Sequence, residues 1–559
     1  MLSDMSNAIT AAVIQRRFFA ISDEMGEAML RTAYSQILNA SRDFSIGMFD
    51  AAGRLIGQAE HIPLHVGGLP FAMQAVTDYF GDDIHDGDVI LLNDPYHGGN
   101  HLPDLTCFVP VFLDGYDKPQ FWTLNRAHQS DIGGSAAGSY NPAATEIWQE
   151  GLRIPPLKLI ERGKERSDVL AMIAANVRHG PDFRGDLAAM IGSARIGASR
   201  LKALVSEYGL DVVRMAIDHI LNSAEVQARE AIKSWADGNY TGTAFMDDDG
   251  HGATDIAIRA SVTISGSDLI VDLTESDAQV KGFNNSSYAN TVSSVHYALA
   301  YLIDPSIPKN SGTFRSVKVL TKPGTVVHPK DGAAVTLSTN HPSQEIAEAV
   351  MIALAPACPE RVVAGWGKRY RIAISGENPR TQKPFIWHLF HARPGAGASA
   401  NGDGWSNIGE LANGGGLKFG PIEVMETRFP LFFERHEFRA GSAGAGKYRG
   451  GYGVSLALRI ETEKEVSAVA AGEGKVHAPF GLFGGEDGLP HSYKHMPWGT
   501  SDLIDIPTKT VNLCFGPRDL LLIESAGGGG YGDVAERPKK LTVLDMKSGL
   551  ENPVRGPGV

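Results

Sequence analysis

Apolar residues recur at three- and four-residue spacing between Ile9 and Leu38 (Val13, Ile14, Phe18, Ile21, Met25, Met29, Leu30, Ala33), with charged residues between them. That period predicts an amphipathic helix, whose face Ser22 and Glu24 merely interrupt. The segment S41-R-D-F-S-I-G-M-F-D50 and the A-A-G-R-L-I-G-Q that follows read as two extended runs around a turn, which places Asp43 at a strand start. Leu69–Tyr79 predicts a helix, and Asp88–Leu92, Thr106–Phe112 and Gln120–Arg126 predict strands of a mixed sheet. Residues 168–234 are helical in period, with Ile191, Ile196, Leu201, Leu204, Val205, Leu210, Val213 and Met215 expected in the core. Thr241–Leu273 alternates strand-like runs with Asp/Gly turns, F245-M-D-D-D-G-H-G252 being the strongest, so an antiparallel sheet is expected there. Helices at Thr291–Leu302 and Gln344–Leu354 lead into a C-terminal half of short strands and glycine-rich turns.

These elements add up to an α+β chain in four parts. Residues 1–167 form an N-terminal mixed α/β region, 168–235 a helical block, 236–357 an α+β middle region, and 358–559 a Gly-rich, β-rich C-terminal region. The net charge of −13, with no basic run, leaves a nucleic-acid partner little counterion-release energy. Three well-separated cysteines, Cys107, Cys358 and Cys514, read as buried thiols of a reducing compartment. The N-terminus shows no basic segment leading an apolar core, and no stretch approaches eighteen apolar residues, so a soluble cytoplasmic protein is expected.

Candidate chemistry gathers in two polar clusters, N93-D-P-Y-H-G-G-N-H-L-P-D104 and R126-A-H-Q-S-D-I-G-G134, on either side of apolar Leu105–Leu124. His101 and Asp104 are three residues apart across Pro103, which favours a turn able to aim both at one point. His128, ending a strand, would add a second imidazole when the two ends of that hairpin-like segment meet. Any single His or Asp in such a loop is more often a hydrogen-bonded structural residue, but the set can hold one divalent ion. Two histidines and a carboxylate leave a position open for water, whose pKa would fall toward neutrality and make it the nucleophile. Asp43 is either a further ligand or the base that takes the proton from that water.

Other candidates are weaker. His61 and His65 are spaced for one helix face, but Pro63 between them weakens that geometry, so His65 is a secondary candidate. Tyr140, Glu146 and Glu150 could line a pocket and supply an acid or a hydrogen-bond donor; the alternative is a solvated helix start. Asp43, His128 and Glu146 are thus the candidate catalytic groups and Tyr140 a secondary one. G441-S-A-G-A-G-K447 lacks the Ser or Thr of a phosphate loop, having Tyr448 instead, and G527-G-G-G-Y-G532 lies too near the chain end for a dinucleotide unit. No nucleotide site is expected on this chain.

The segments D-E-M-G-E-A-M-L-R-T-A-Y-S (23–35), S-R-D-F-S (41–45), the two polar clusters, E-I-W-Q-E-G-L-R-I-P-P (146–156), D304-P-S-I-P-K-N-S-G312 and G444-A-G-K-Y-R-G-G-Y-G453 resemble the hydantoinase B/oxoprolinase family along essentially the whole chain. The resemblance implies a subunit of an ATP-dependent enzyme that opens a cyclic amide such as a hydantoin, a lactam or 5-oxoproline, with the metal residues matching Asp43, His101, Asp104 and His128. It further implies a hetero-oligomer in which a hydantoinase A-like subunit holds ATP and Mg and phosphorylates the carbonyl oxygen before water attacks on this chain. Zinc is the first expectation for the metal, with manganese or iron as alternatives. Gln129 stands where a second histidine often follows, Asn100 replaces a common threonine, and A188-A-M190 replaces a more polar stretch. A ketone carboxylase subunit of the acetone or acetophenone type is the alternative; a non-haem iron oxygenase and a non-catalytic scaffold are more distant ones.

Overall fold

In the computed structural model, which describes residues 2–59, 61–414 and 417–550 with side chains from residue 8 onward, the first apolar stripe forms α1 (Leu2–Thr32), followed by the one-turn α2 (Gln36–Asn39). Ile14, Phe18, Ile21, Met25 and Met29 are buried, whereas Val13 turns outward at 43% exposure, as a residue one step of about 100° from Ile14 must. The helix stops before Leu38 because the chain turns at Tyr34 and Ser35, whose backbone N–H groups donate to the buried Asp186 carboxylate.

Seven strands, β1 (Phe44–Asp50), β2 (Leu55–Ala59), β3 (Val89–Leu92), β4 (Asp104–Val111), β5 (Phe121–His128), β6 (Leu157–Glu161) and β7 (Lys164–Glu165), make a sheet of order β2-β1-β5-β4-β3-β6-β7. Every pairing in it is antiparallel, not mixed as the sequence suggested. One face packs on α3 (Pro63–Phe80) through Leu69, Met73, Phe49, Phe108, Trp122 and Leu124. The other lies under α5 (Gly180–Tyr208), where Thr123 and Asn125 donate to the carbonyls of Ala194 and Met190.

The helical block is α4 (Ser167–Ala175), α5 and α6 (Leu210–Lys233). Leu201, Leu204 and Val213 are buried as expected, but Met215 is 58% exposed: α6 turns Val213, Ala216, Ile217, Ile220 and Leu221 inward, and Met215 falls on the opposite face. The middle region has β8 (Gly238–Asp248), β9 (Thr254–Ser265), β10 (Asp268–Asp272) and β11 (Val317–Leu320), with the expected turn joining β8 to β9 and a parallel β10–β11 pair. Helices α7 (Tyr288–Leu302) and α8 (Ser343–Leu354) complete it.

In the C-terminal half, β12 (Tyr370–Asn378), β13 (Lys383–His388), β16 (Val466–Gly472) and β19 (Lys509–Phe515) form one sheet. A second contains β14 (Leu431–Phe438), β15 (Val454–Ile460), β17 (Ser492–Met496), β18 (Ile504–Asp505) and β20 (Leu520–Glu524). They enclose a core of Ile372, Ile374, Trp387, Leu456, Leu458 and Ile523. The alternate residues of β12, Arg371 and Ala373, therefore face the N-terminal region.

The N–H groups of Gly444, Gly528, Gly529 and Gly530 donate to the carbonyls of Gly528, Gly451, Gly365 and Glu486, which ties the two glycine strings to each other and to the surrounding loops. A Cβ on Gly528 would sit 1.8 Å from the Ala396 carbonyl oxygen, which is why that close approach requires glycine. Cys107 and Cys358 are buried thiols, but Cys514 is exposed, because it lies on β19 at the sheet's edge. Among the described residues no helix is long and apolar enough to cross a membrane.

Candidate metal centre

The register of β1, β5 and β4 assembles the site. Asp104 pairs directly with His128, and Phe44 with Ala127, so Asp43 lies opposite His128, whose N–H donates to the Asp43 carbonyl at 3.0 Å. Residues opposite one another in a sheet point to the same face. On this face the apolar row beneath α3 (Phe108, Trp122, Leu124) gives way, two residues at a time, to Thr106 and Arg126 and then to Asp104 and His128. The sheet thus turns from core to polar site along single strands.

His101 comes from the turn before β4, closed by the Asp104 N–H on the His101 carbonyl at 3.1 Å. The preceding motif holds that turn in place. Asn93 donates to the carbonyls of Leu102 and Leu152 and accepts from the Ile154 N–H, tying the first cluster to the I-P-P segment. Fully buried Arg126 donates to Thr106, to Asn100 Oδ1 at 2.8 Å and to the Gly98 carbonyl. Asn100 thus serves as the acceptor for a buried cation.

His101 Nε2 lies 3.0 Å from Asp104 Oδ1 and 3.2 Å from His128 Nδ1, and His128 Nδ1 lies 3.2 Å from Asp104 Oδ1. Such edges suit three donors placed roughly 2.0–2.1 Å from one ion. All three side chains are essentially enclosed, yet Asp104 Oδ2 and His128 Nε2 have no hydrogen-bond partner, which burial penalises unless a ligand satisfies the group. His101 Nδ1 donates to the Thr336 carbonyl at 2.6 Å, which fixes the tautomer with Nε2 free to ligate. The residues therefore fit a divalent ion. Burial alone would raise the Asp104 carboxyl, but the neighbouring imidazoles of His101, His65 and His128 hold it well below the usual range. Burial pushes the His128 imidazole down, against the Asp104 hydrogen bond, so it stays a neutral donor.

His65, a secondary candidate, is brought in: Nε2 is 3.3 Å from Asp104 Oδ2 and 3.8 Å from Asp43 Oδ1. Pro63 does not break the helix but occupies its first turn, where a missing N–H costs nothing. His61 stays outside α3 and packs on Phe44 with ring centroids 4.5 Å apart, while burial lowers its pKa to about 4. Tyr140 is also brought in, its ring 6.0 Å from those of both His101 and His128, with burial raising its pKa.

Glu146 is not. It is exposed, accepts a long 3.4 Å bond from Gln149, and precedes a one-turn 3-10 helix that carries Glu150 inward instead. Glu150 is fully buried, accepts from the N–H groups of Val335 and Thr336, and is pushed up to about 8 by desolvation. It thus supports the peptide whose carbonyl orients His101. Sequence reasoning missed Arg371, whose guanidinium lies 3.7 Å over the Tyr140 ring, and His388, whose Nδ1 is 2.8 Å from Arg371 Nη2. No local signal marks them, since they reach the site from β12 and β13.

Residues 7–534 match the hydantoinase B/oxoprolinase family. The chain is 35% identical to the beta subunit of the caprolactamase of Pseudomonas jessenii, covering 97% of this chain and 94% of the relative. It is 31% identical to the B component of a putative D-/L-hydantoinase of Pseudomonas sp. strain NS671, covering 97% and 93%. Its fold superposes on the crystal structure of ATP-dependent caprolactamase from Pseudomonas jessenii with a TM-score of 0.92 at 34% identity, covering 98% of this chain and 94% of that one. It also superposes on nucleotide-free acetone carboxylase with a TM-score of 0.89 at 20% identity, covering 98% and 78%, a likeness of fold alone. With a family match over nearly its whole length and relatives of its own size, this chain belongs to the hydantoinase B/oxoprolinase family.

Proposed function

We propose that this chain is the metal-dependent hydrolytic subunit of an ATP-dependent cyclic-amide hydrolase, acting on a lactam, hydantoin or 5-oxoproline-type ring with a hydantoinase A-like ATP-binding partner. The observation that carries this reading is the buried triangle of His101 Nε2, Asp104 Oδ1 and His128 Nδ1, in a chain similar end to end to the beta component of a caprolactamase. A divalent ion held there, zinc before manganese or iron, supplies Lewis acidity and brings the pKa of a water toward neutrality.

The chain's own groups do the rest. Asp43, beside His65 and across from His128, would accept the proton that the nucleophile loses. Tyr140 keeps its proton, because burial raises its pKa, and so offers an O–H donor beside the histidines. Enclosure of His101, Asp104 and Tyr140 keeps bulk water from an activated substrate. A partner that holds ATP and phosphorylates the carbonyl oxygen fits the likeness to the beta subunit of a caprolactamase.

Co-purification with a hydantoinase A-like subunit, metal analysis, and a panel of lactams and hydantoins with and without ATP test the reading. It expects one equivalent of metal and ring opening that requires ATP, partner and metal together. Ring opening by this chain alone, or turnover unchanged after chelation, contradicts it.

A further inference from the structure

Arg371 is only 4% exposed, yet among the described residues no carboxylate comes within 4.0 Å of it. Its neighbour Arg369 pairs with Glu410 and Arg178 pairs with Asp131, so nearby buried carboxylates are already engaged. Arg371 Nη2 donates to His388 Nδ1 at 2.8 Å, and burial together with Arg371 holds that imidazole far below its ordinary range and hence neutral. Tyr140 stacks 3.7 Å beneath the guanidinium, and Nε is enclosed without a hydrogen-bond partner. A buried cation with an unsatisfied donor is costly unless an anion joins it.

The charge of the neighbourhood agrees. With a divalent ion in place, Asp43 and Asp104 neutralise it, and Arg371, sharing the Tyr140 ring with His101 and His128, remains as a net positive charge. Arg371, Ala373 and Ser375 alternate along β12, and the latter two, though not Arg371 itself, line a cleft of ≈ 660 Å³ with Ala136, Ser467 and Val469.

We propose that Arg371, stacked on Tyr140 and buttressed by His388, forms an oxyanion-binding subsite beside the metal triangle for a phosphoryl group or inorganic phosphate. The subsite rests on the reading of the triangle as a metal centre. It would hold the phosphoryl group of an activated amide in register with the attacking water, since a guanidinium fork matches two phosphate oxygens. The species that this chain hydrolyses is then phosphorylated and anionic rather than the neutral ring.

The test is calorimetric titration of inorganic phosphate into the metal-loaded and metal-free chain, for wild type, Arg371→Met and Arg371→Lys, with metal content and thermal unfolding recorded for each. Wild type is expected to bind phosphate, Arg371→Met to bind at least tenfold more weakly with metal content unchanged, and Arg371→Lys to fall between. Phosphate binding as tight in Arg371→Met as in wild type, or none by wild type, overturns the subsite. A wild-type chain that takes up no metal but binds phosphate through Arg371 sinks the metal reading and leaves the anion site standing.

Discussion

Two buried polar clusters of this molecule differ in one respect that separates function from architecture. Between the middle region and the C-terminal sheets, His341 Nδ1 bonds Glu345 at 2.9 Å, Lys368 Nζ pairs with Glu345 at 2.9 Å, and Glu473 takes Lys509 Nζ at 2.6 Å and the Asp247 N–H at 2.6 Å. Those charges satisfy one another. In the His101–Asp104–His128 cluster, Asp104 Oδ2, His128 Nε2 and the adjacent His65 Nδ1 are buried without a hydrogen-bond partner. A satisfied network stabilises a particular packing, whereas an unsatisfied one of mixed imidazole and carboxylate is incomplete until a ligand arrives.

Mutation at the two poles separates these clusters most visibly. His101→Ala and His128→Ala should each lower metal content to background and reduce ATP-dependent ring opening by more than the 10- to 100-fold that losing an outer partner costs; turnover that survives both substitutions would mean a scaffold. Lys368→Met should do the reverse, leaving metal stoichiometry intact while destabilising the fold by about 3–5 kcal/mol in denaturant unfolding, because Glu345 and its neighbours lose a buried cation. Burial pushes Glu348 and Glu473 up to about 7, so that variant should lose further stability as pH rises from about 5 to 7 and these carboxyls are asked to ionise. Asp43→Asn should keep the metal, with affinity weakened by up to about 100-fold, and lower kcat by about 100-fold or more; an unchanged kcat would remove Asp43 from proton transfer.

The smallest effect concerns Glu150. Its folded pKa, about 8, lies above the ordinary value of 4.5, so the stability it contributes is full below about 4.5 and is lost as pH rises toward 8. Glu150→Gln removes that slope while Oε1 still accepts from Val335 and Thr336, so its unfolding midpoint should gain on wild type between pH 5 and 8. Parallel pH curves for the two proteins would contradict this assignment.

Much of the His101–Asp104–His128 cluster was legible because it is local. Two polar motifs flanking one apolar hairpin must meet when β4 and β5 pair, and period-2 alternation then puts Asp104 and His128 on one face. What was not legible depended on position along a single turn or on distant chain. Pro63 reads as weakening the one-face geometry of His61 and His65, when at the first turn it starts α3 and carries His65. Glu146 and Glu150 lie on one short turn, and only the packing against residues 335 and 336 decides that Glu150 faces inward. Met215 had the right composition for the core but the wrong angle on α6. Arg371 and His388 lie far along the chain, on a sheet whose facing direction no local pattern fixes.

The metal assignment is tested most directly by anomalous diffraction, recorded on either side of the zinc, manganese and iron absorption edges, from crystals of the full chain grown with those metals. A single strong peak is predicted at about 2.0–2.2 Å from His101 Nε2, Asp104 and His128. No peak there, with the two imidazoles and the carboxylate bonded only to one another, would contradict it.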